Sequence, residues 1–221
     1  TTNPNTPTPE VQLLSNGRYH VMVSAAGGGY SRWNDLALTR WREDPTCEAH
    51  GIFVFIGDRE TGRGWSNTFQ PTLRAGGHYE AIFTAGRAEF RRQDDQIETH
   101  TEIAVAAEDD VEIRRIKLTN RSEKARSLVV TGYAEVVLAP GVADELHPAF
   151  GNLFVHTSLV PEPGAILFTR RPRSAEEEPP WMFCVLQAAT AGGLGGPCSF
   201  DTDRGRCIGR GRSVRQPALL D

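Results

Sequence analysis

Residues 97–120 read IETHTEIAVAAEDDVEIRRIKLTN. Ile97, Thr99, Thr101, Ile103 and Val105 fall two apart, which places them on one face of an extended strand. Glu108, Asp109 and Asp110 then supply a turn, and a second strand begins with Val111 and Ile113 in phase. Ile116 and Leu118 are out of that phase by one residue. A β-bulge near Arg114 and Arg115 accounts for the slip, because one additional residue moves the side-chain register to the opposite face.

The same period recurs on either side. Val21 and Val23 alternate around Met22, and GIFVFIGD (51–58) is a short apolar run between glycines, the pattern of a strand covered on both faces. NRSEK (120–124) is a turn into SLVVTGYAEVVL (127–138), apolar on both faces and so expected as a central strand. HPAFGNLFVHTSLV (147–160) and WMFCVLQAA (181–189) read as two further strands, with RRPRSAEEEPP (170–180) an exposed loop between them. No amphipathic helix of three turns is visible. The fold class expected is therefore all-β. Residues 1–10, TTNPNTPTPE, read as a disordered linker or tail. From residue 191 to Asp221 the chain is rich in Gly and Arg, and reads either as a long surface excursion or, the preferred reading, as a piece whose packing partner is missing.

The chain has 221 residues, 39% of them apolar and 24% charged, enough to bury a sizeable core. A formal charge of −4 argues against a nucleic-acid surface built on bulk charge. No apolar run approaches the roughly 18 residues that span a bilayer, and no signal-peptide pattern opens the chain. Cys47, Cys184, Cys198 and Cys207 lack the spacing of a zinc site, so no metal is expected. Cys198 and Cys207 suit a disulfide on export, and reduced thiols in a cytoplasmic compartment otherwise.

The chemistry concentrates in NGRYHVMVSAAGGGYSRWND (16–35). Gly27–Gly29 lack the Gly-Lys-Ser/Thr ending of a phosphate loop, and Tyr30 to Asp35 do not open a helix as a dinucleotide fingerprint requires. A plain turn explains the glycines but not the aromatic and polar cluster after them. Tyr30, Trp33 and Trp65 are aromatics of the kind that stack on sugar rings, and Ser31 can bond hydroxyls. Together with Arg40 and Arg42 of LTRWREDPT (38–46), these six residues form the candidate saccharide surface. The alternative places Trp33 and Trp65 in the core and pairs Arg40 and Arg42 with Glu43 and Asp44. No nucleophile elbow is present, and Asp144 with His147 lacks a serine or cysteine partner. Asp94–Asp95 and Asp109–Asp110 read as solvated turns. Glu135, alone in an apolar strand, needs a partner such as an arginine to stay charged.

NGRYHVMVSAAGGGYSRWNDLALTRWREDPT with GIFVFIGDRETGRGWSNTFQP resembles the N-terminal region of glycoside hydrolase family 94, and within it the phosphorylase-like part of cyclic β-1,2-glucan synthases. VVTGYAEVVLAP, ADELHPAFGNLFV and RRPRS extend the resemblance over nearly all of residues 10–215. It implies a large antiparallel β-sandwich over residues 11–221, similar to galactose mutarotase-like supersandwiches and cut short of its later strands. In such proteins the sandwich precedes an (α/α)6 barrel that carries the catalytic aspartate. This chain would then be noncatalytic, without a cofactor, and a contact for β-glucan oligosaccharide. Its partners would be the barrel of the same parent chain and a second copy in a homodimer. The resemblance implies a cytoplasmic placement, the parent being an inner-membrane protein. A stand-alone carbohydrate-binding module and a purely structural scaffold remain as alternatives.

Overall fold

Strands account for most of the regular structure in the chain. The computed structural model describes residues 1–42, 49–162, 164–172, 174–190, 193–194 and 198–221. The strands are β1 (Val11–Ser15), β2 (Tyr19–Ser24), β3 (Gly29–Trp33), β4 (Leu36–Thr39), β5 (Phe53–Asp58), β6 (Gly64–Ser66), β7 (His78–Thr84), β8 (Arg87–Asp94), β9 (Ile97–Val105), β10 (Glu112–Asn120), β11 (Leu128–Tyr133), β12 (Val136–Pro140), β13 (Val155–Val160), β14 (Ala165–Arg170) and β15 (Trp181–Val185), followed by the two-residue pair β16 (Ala189–Thr190) and β17 (Gly193–Leu194). The helices α1 (Gly141–Leu146), α2 (Pro148–Asn152) and α3 (Arg204–Cys207) each span no more than two turns. Among the described residues no helix is long and apolar enough to cross a membrane.

The strands form four main sheets, ordered β1-β2-β3-β4-β12, β10-β9-β8-β7, β11-β5-β6 and β13-β14-β15, and every pairing within them is antiparallel. The β9 strand holds them together. Ile97, Thr99, Thr101 and Ile103 all face inward, as the alternation predicts. At one end Ile103 packs with Phe90 and Ala88 against Val21, Val23 and Leu138 of the first sheet. Six residues away, roughly 20 Å along a strand, Ile97 packs against Ile56 and Trp65 of the third sheet. One inner face thus serves two partner sheets. Between them, Thr101 accepts a hydrogen bond from the buried Asn67 amide at 3.1 Å. Phe168 and Met182 join the fourth sheet to the larger core.

Three expectations are corrected. The β9–β10 ladder is continuous from Glu112–Val105 to Asn120–Ile97, so there is no bulge at Arg114 or Arg115. Ile113 is the residue out of place. It is 54% exposed, while Glu112 and Arg114 take the inward face as an ion pair 2.5 Å apart. The register break lies instead in β12, between Val136 and Ala139, where buried Leu138 adopts a φ of 51°. Second, SLVVTGYAEVVL is not one central strand. It divides at Ala134–Glu135 into β11 and β12, which are edge strands of different sheets. Third, HPAFGN folds as α2, and only the second half of HPAFGNLFVHTSLV is a strand.

The expected double cover of GIFVFIGD holds, since β5 is the middle strand of its sheet and is buried nearly throughout. Asp58 at its end is bound by Arg126, which holds its carboxyl down to about 2. The tail after residue 197 packs in part on the chain itself. Ile208 and Val214 are buried, and Leu220 lies against Gly64 of β6. Residues 1–10 carry no regular element, although Thr1 and Ala81 exchange backbone hydrogen bonds. Cys184, Cys198 and Cys207 are free thiols, and Cys47 lies outside the described residues.

Candidate functional site

The glycine turn between β2 and β3 is buried, and its contacts explain why glycine is there. A Cβ on Gly27, at φ 99°, would fall 2.1 Å from the Thr68 hydroxyl oxygen, and one on Gly29 would fall 1.9 Å from the Met22 carbonyl oxygen. The Gly27 N–H donates to the Ser24 carbonyl and the Gly29 N–H to that of His50. Those donors are spent on the protein itself, so the turn is a close backbone packing and not an anion cradle.

The pleat of β3 sends the next side chains to two faces. Tyr30 and Arg32 point to one side, Ser31 and Trp33 to the other. Ser31 is buried and donates from its hydroxyl to Glu112 at 2.5 Å. Trp33, 40% exposed, donates its indole N–H to Asp110 at 2.6 Å, which holds that carboxyl below its ordinary value. Tyr30 on the opposite side is half-buried and meets Trp41 edge-on, with ring centroids 5.9 Å apart. Trp65 lies in the third sheet, 2% exposed, packed with Ile56 and Ile97. Its indole N–H has no acceptor among the described residues.

Arg40 is the centre of a polar knot. It donates to both oxygens of Asp144 at 2.8 Å, to Glu135 at 2.6 Å, to the Asn152 side chain at 2.8 Å and to the Pro148 carbonyl at 3.3 Å. Bonding to Asp144 raises its pKa above the ordinary arginine value. Glu135 has the arginine partner its sequence context demands, and a second in Arg204 at 3.0 Å, with the Tyr133 hydroxyl also donating to it. Burial pushes the Glu135 carboxyl up, but the Arg204, Arg40 and Tyr133 interactions outweigh it and leave the group low. Beside this knot is a cavity of about 320 Å3 whose lining includes Arg42, His50, Arg204 and Arg212. Burial lowers the His50 pKa, and its Nδ1 is buried without a partner among the described residues. The pairing of Arg40 or Arg42 with Glu43 and Asp44 concerns residues outside those described.

The six candidate residues therefore separate into an aromatic edge (Tyr30, with Trp41), an opposite strand face (Ser31, Trp33), a buried ion-pair centre (Arg40), an exposed cavity rim (Arg42) and a core position (Trp65). His50, Arg204 and Arg212 escape the sequence reading. No motif marks them, because tertiary packing alone brings residues from 50 and beyond 200 to the end of β4. On the outer face of the second sheet Glu89, His100 and Glu102 hold three metal-ligand-type atoms within 4.8 Å. Arg87, Arg91 and Arg115 already bind those carboxylates, and His100 donates to or accepts from Glu89 at 3.0 Å. A cation there would displace guanidinium groups.

Known proteins are similar to this chain in sequence. The family model described as glycosyl hydrolase 94, supersandwich domain, matches residues 1–221. The cyclic β-(1,2)-glucan synthase NdvB of Rhizobium meliloti (strain 1021) is 36% identical over 212 residues, 96% of this chain and 7% of that protein. The N,N'-diacetylchitobiose phosphorylase of Vibrio furnissii is 26% identical over 139 residues, 61% of this chain and 17% of its own. A 3-O-β-D-glucopyranosyl-β-D-glucuronide phosphorylase of Paenibacillus borealis is 31% identical over 130 residues, 58% of this chain and 16% of its own. The chain thus spans less than a fifth of the length of each of these relatives.

Proposed function

Since the chain belongs to glycosyl hydrolase family 94 as its supersandwich domain, we propose that it is the noncatalytic, carbohydrate-contacting β-sandwich module of a β-glucan-active phosphorylase or glycosyltransferase. The observation that carries the carbohydrate part is the Tyr30–Trp41 aromatic edge. Tyr30 is one residue from Gly29, whose N–H is tied to His50 on the wall of the arginine-lined cavity. Aromatic rings and guanidinium donors are together the groups that grip sugar rings, by stacking on one face and bonding hydroxyls at the rim. Three enclosed carboxylates support the noncatalytic part. A general acid needs a carboxyl with a raised pKa. Here Glu89, Glu135 and Asp58 are all held low by their bonding partners.

One open face gives weak binding, with a dissociation constant on the order of millimolar, about −4 kcal/mol. Titrating the chain with β-1,2-gluco-oligosaccharides should move amide signals of residues 28–33 and 39–42, and Tyr30→Ala should abolish the movement while the fold persists. Shifts unchanged in Tyr30→Ala would remove the stacking role. No glucose 1-phosphate should form from β-glucan and phosphate.

A second reading, a scaffold that docks the catalytic barrel or a second copy, is favoured by the exposed apolar residues of α1, α2 and β15. These are Val142, Leu146, Phe150, Trp181 and Phe183. Light scattering on the chain, alone and with the barrel of its parent, tests that reading.

A further inference from the structure

The segment 204–215, RGRCIGRGRSVR, carries five arginines and no acidic residue. It is anchored at several points. Ile208 and Val214 are buried, and the Ala218 N–H donates to the Ile208 carbonyl at 2.9 Å. A Cβ on Gly209, at φ 94°, would sit 3.1 Å from Arg212 Cδ, so glycine there lets the arginine stem pack on the backbone. The segment thereby brings Arg204 and Arg212 to the cavity that Arg40, Arg42, His50 and Glu135 also line. Preformed walls spare a ligand the ordering cost.

The charges around this cavity do not balance. Among the described residues, four guanidinium groups meet one carboxylate in the lining, that of Glu135. Asp144 and Asp221 bond Arg40 and Arg212 from beside it, and one positive charge is still left over among these residues. Burial, and after it the Arg40 and Arg42 charges, lowers the His50 pKa, so its ring adds no charge at neutral pH. A cation is repelled here, and the excess charge favours an anion. The donors that would meet it are open to solvent. Arg40 has all three nitrogens committed. Arg204 gives its Nε to Glu135 at 3.0 Å and Arg212 its Nη1 to Asp221 at 2.6 Å, yet these two side chains are 55% and 43% exposed. Arg42 is exposed and has no carboxylate partner among the described residues. Each guanidinium offers parallel N–H pairs that match the oxygens of a phosphate or a carboxylate. Three such forks outnumber the two oxygens of a carboxylate, whereas a phosphate group offers three acceptor oxygens and a larger charge.

We propose that this cavity is a site for a phosphate group, free or carried as a monoester, held by Arg42, Arg204 and Arg212. It goes beyond the carbohydrate reading and needs neither Tyr30 nor Trp41. The test is a titration of the whole chain with sodium phosphate and with glucose 6-phosphate at constant ionic strength, followed by amide chemical shifts. Signals of His50 and of residues 204–214 should move and saturate with both. Tighter binding of glucose 6-phosphate would assign the monoester as the source, and equal binding would assign free phosphate. Arg42→Gln and Arg212→Gln should each weaken binding about fivefold, the upper end for one exposed ion pair. Arg115→Gln, which removes an exposed arginine of the second sheet, should leave it unchanged. Tyr30→Ala should leave it unchanged as well. A response to phosphate with none to β-1,2-gluco-oligosaccharide would therefore support this site and count against the β3 surface. Movement of residues 28–33 with oligosaccharide and silence toward phosphate would overturn this site alone. Equal binding of sodium acetate, shifts that grow without saturating, unaltered affinity in both Arg42→Gln and Arg212→Gln, or an equal loss in Arg115→Gln would also overturn it.

Discussion

Arg40 shows how a residue that looks like a ligand contact can be the fastening of a fold. Arginine suits the position because its planar fork bonds Asp144 through two nitrogens and still reaches Glu135 and Asn152. The residues it gathers lie about a hundred positions away, so it ties β4 to α1 and α2. Removing one partner of a buried pair is expensive because the other charge is left stranded. Arg40→Ala should therefore cost about 3 kcal/mol, the lower end of that range, because Arg204 still neutralises Glu135. Arg40→Lys should recover under half of that, since an ammonium cannot span both Asp144 oxygens. Urea denaturation of the three proteins measures both, and an Arg40→Ala cost below about 1 kcal/mol, the level of an exposed pair, would show the knot to be slack.

Strand β10 shows what periodicity can and cannot reveal. Apolar counting assigns Ile113 to the core and needs a bulge to rescue Ile116 and Leu118. The actual strand keeps a strict alternation by turning Glu112 and Arg114 inward and Ile113 out. An ion pair takes the place of a hydrophobe, bound also by the Ser31 hydroxyl and by Arg114 donating to the Ile52 carbonyl. Hydropathy has no means of registering such a substitution. The neighbouring β9, whose inward residues are all apolar or threonine, is legible throughout. Grouping Tyr30 with Trp33 fails for a related reason. They are close in sequence, yet three residues along a strand reverses the face. The register predicts that Ile113→Lys changes stability by no more than about 0.5 kcal/mol, as at other surface sites. Leu118→Ala, facing Ile56 and Trp65, should cost about 2 kcal/mol. Thermal unfolding of the two variants checks it, and a reversed order would restore the bulge.

Taken as a whole, the molecule is unevenly held. The first and second sheets close over one cluster that includes Leu14, Val21, Val23, Phe90, Ile103 and Leu138, every one buried. The fourth sheet reaches that cluster only through the half-buried Phe168 and Met182. Its flanking strands β13 and β15 are exposed along most of their length, with Trp181 and Phe183 facing solvent. The all-β class and the family are legible in the sequence because strand alternation and long motifs are local. This imbalance is not, because the apolar residues of WMFCVLQAA look the same in sequence whether a partner covers them or not. Local opening follows buried apolar contact, and regions with little of it exchange their amides from partly unfolded states. Amide protons of β13–β15 should therefore exchange at least about a hundredfold faster than those of β8 and β9, equivalent to an opening free energy about 2.7 kcal/mol smaller. Native-state hydrogen exchange followed by mass spectrometry reads both regions in one sample. Equal protection across the two would show that the fourth sheet unfolds only with the main core, and that Phe168 and Met182 suffice to bind it there.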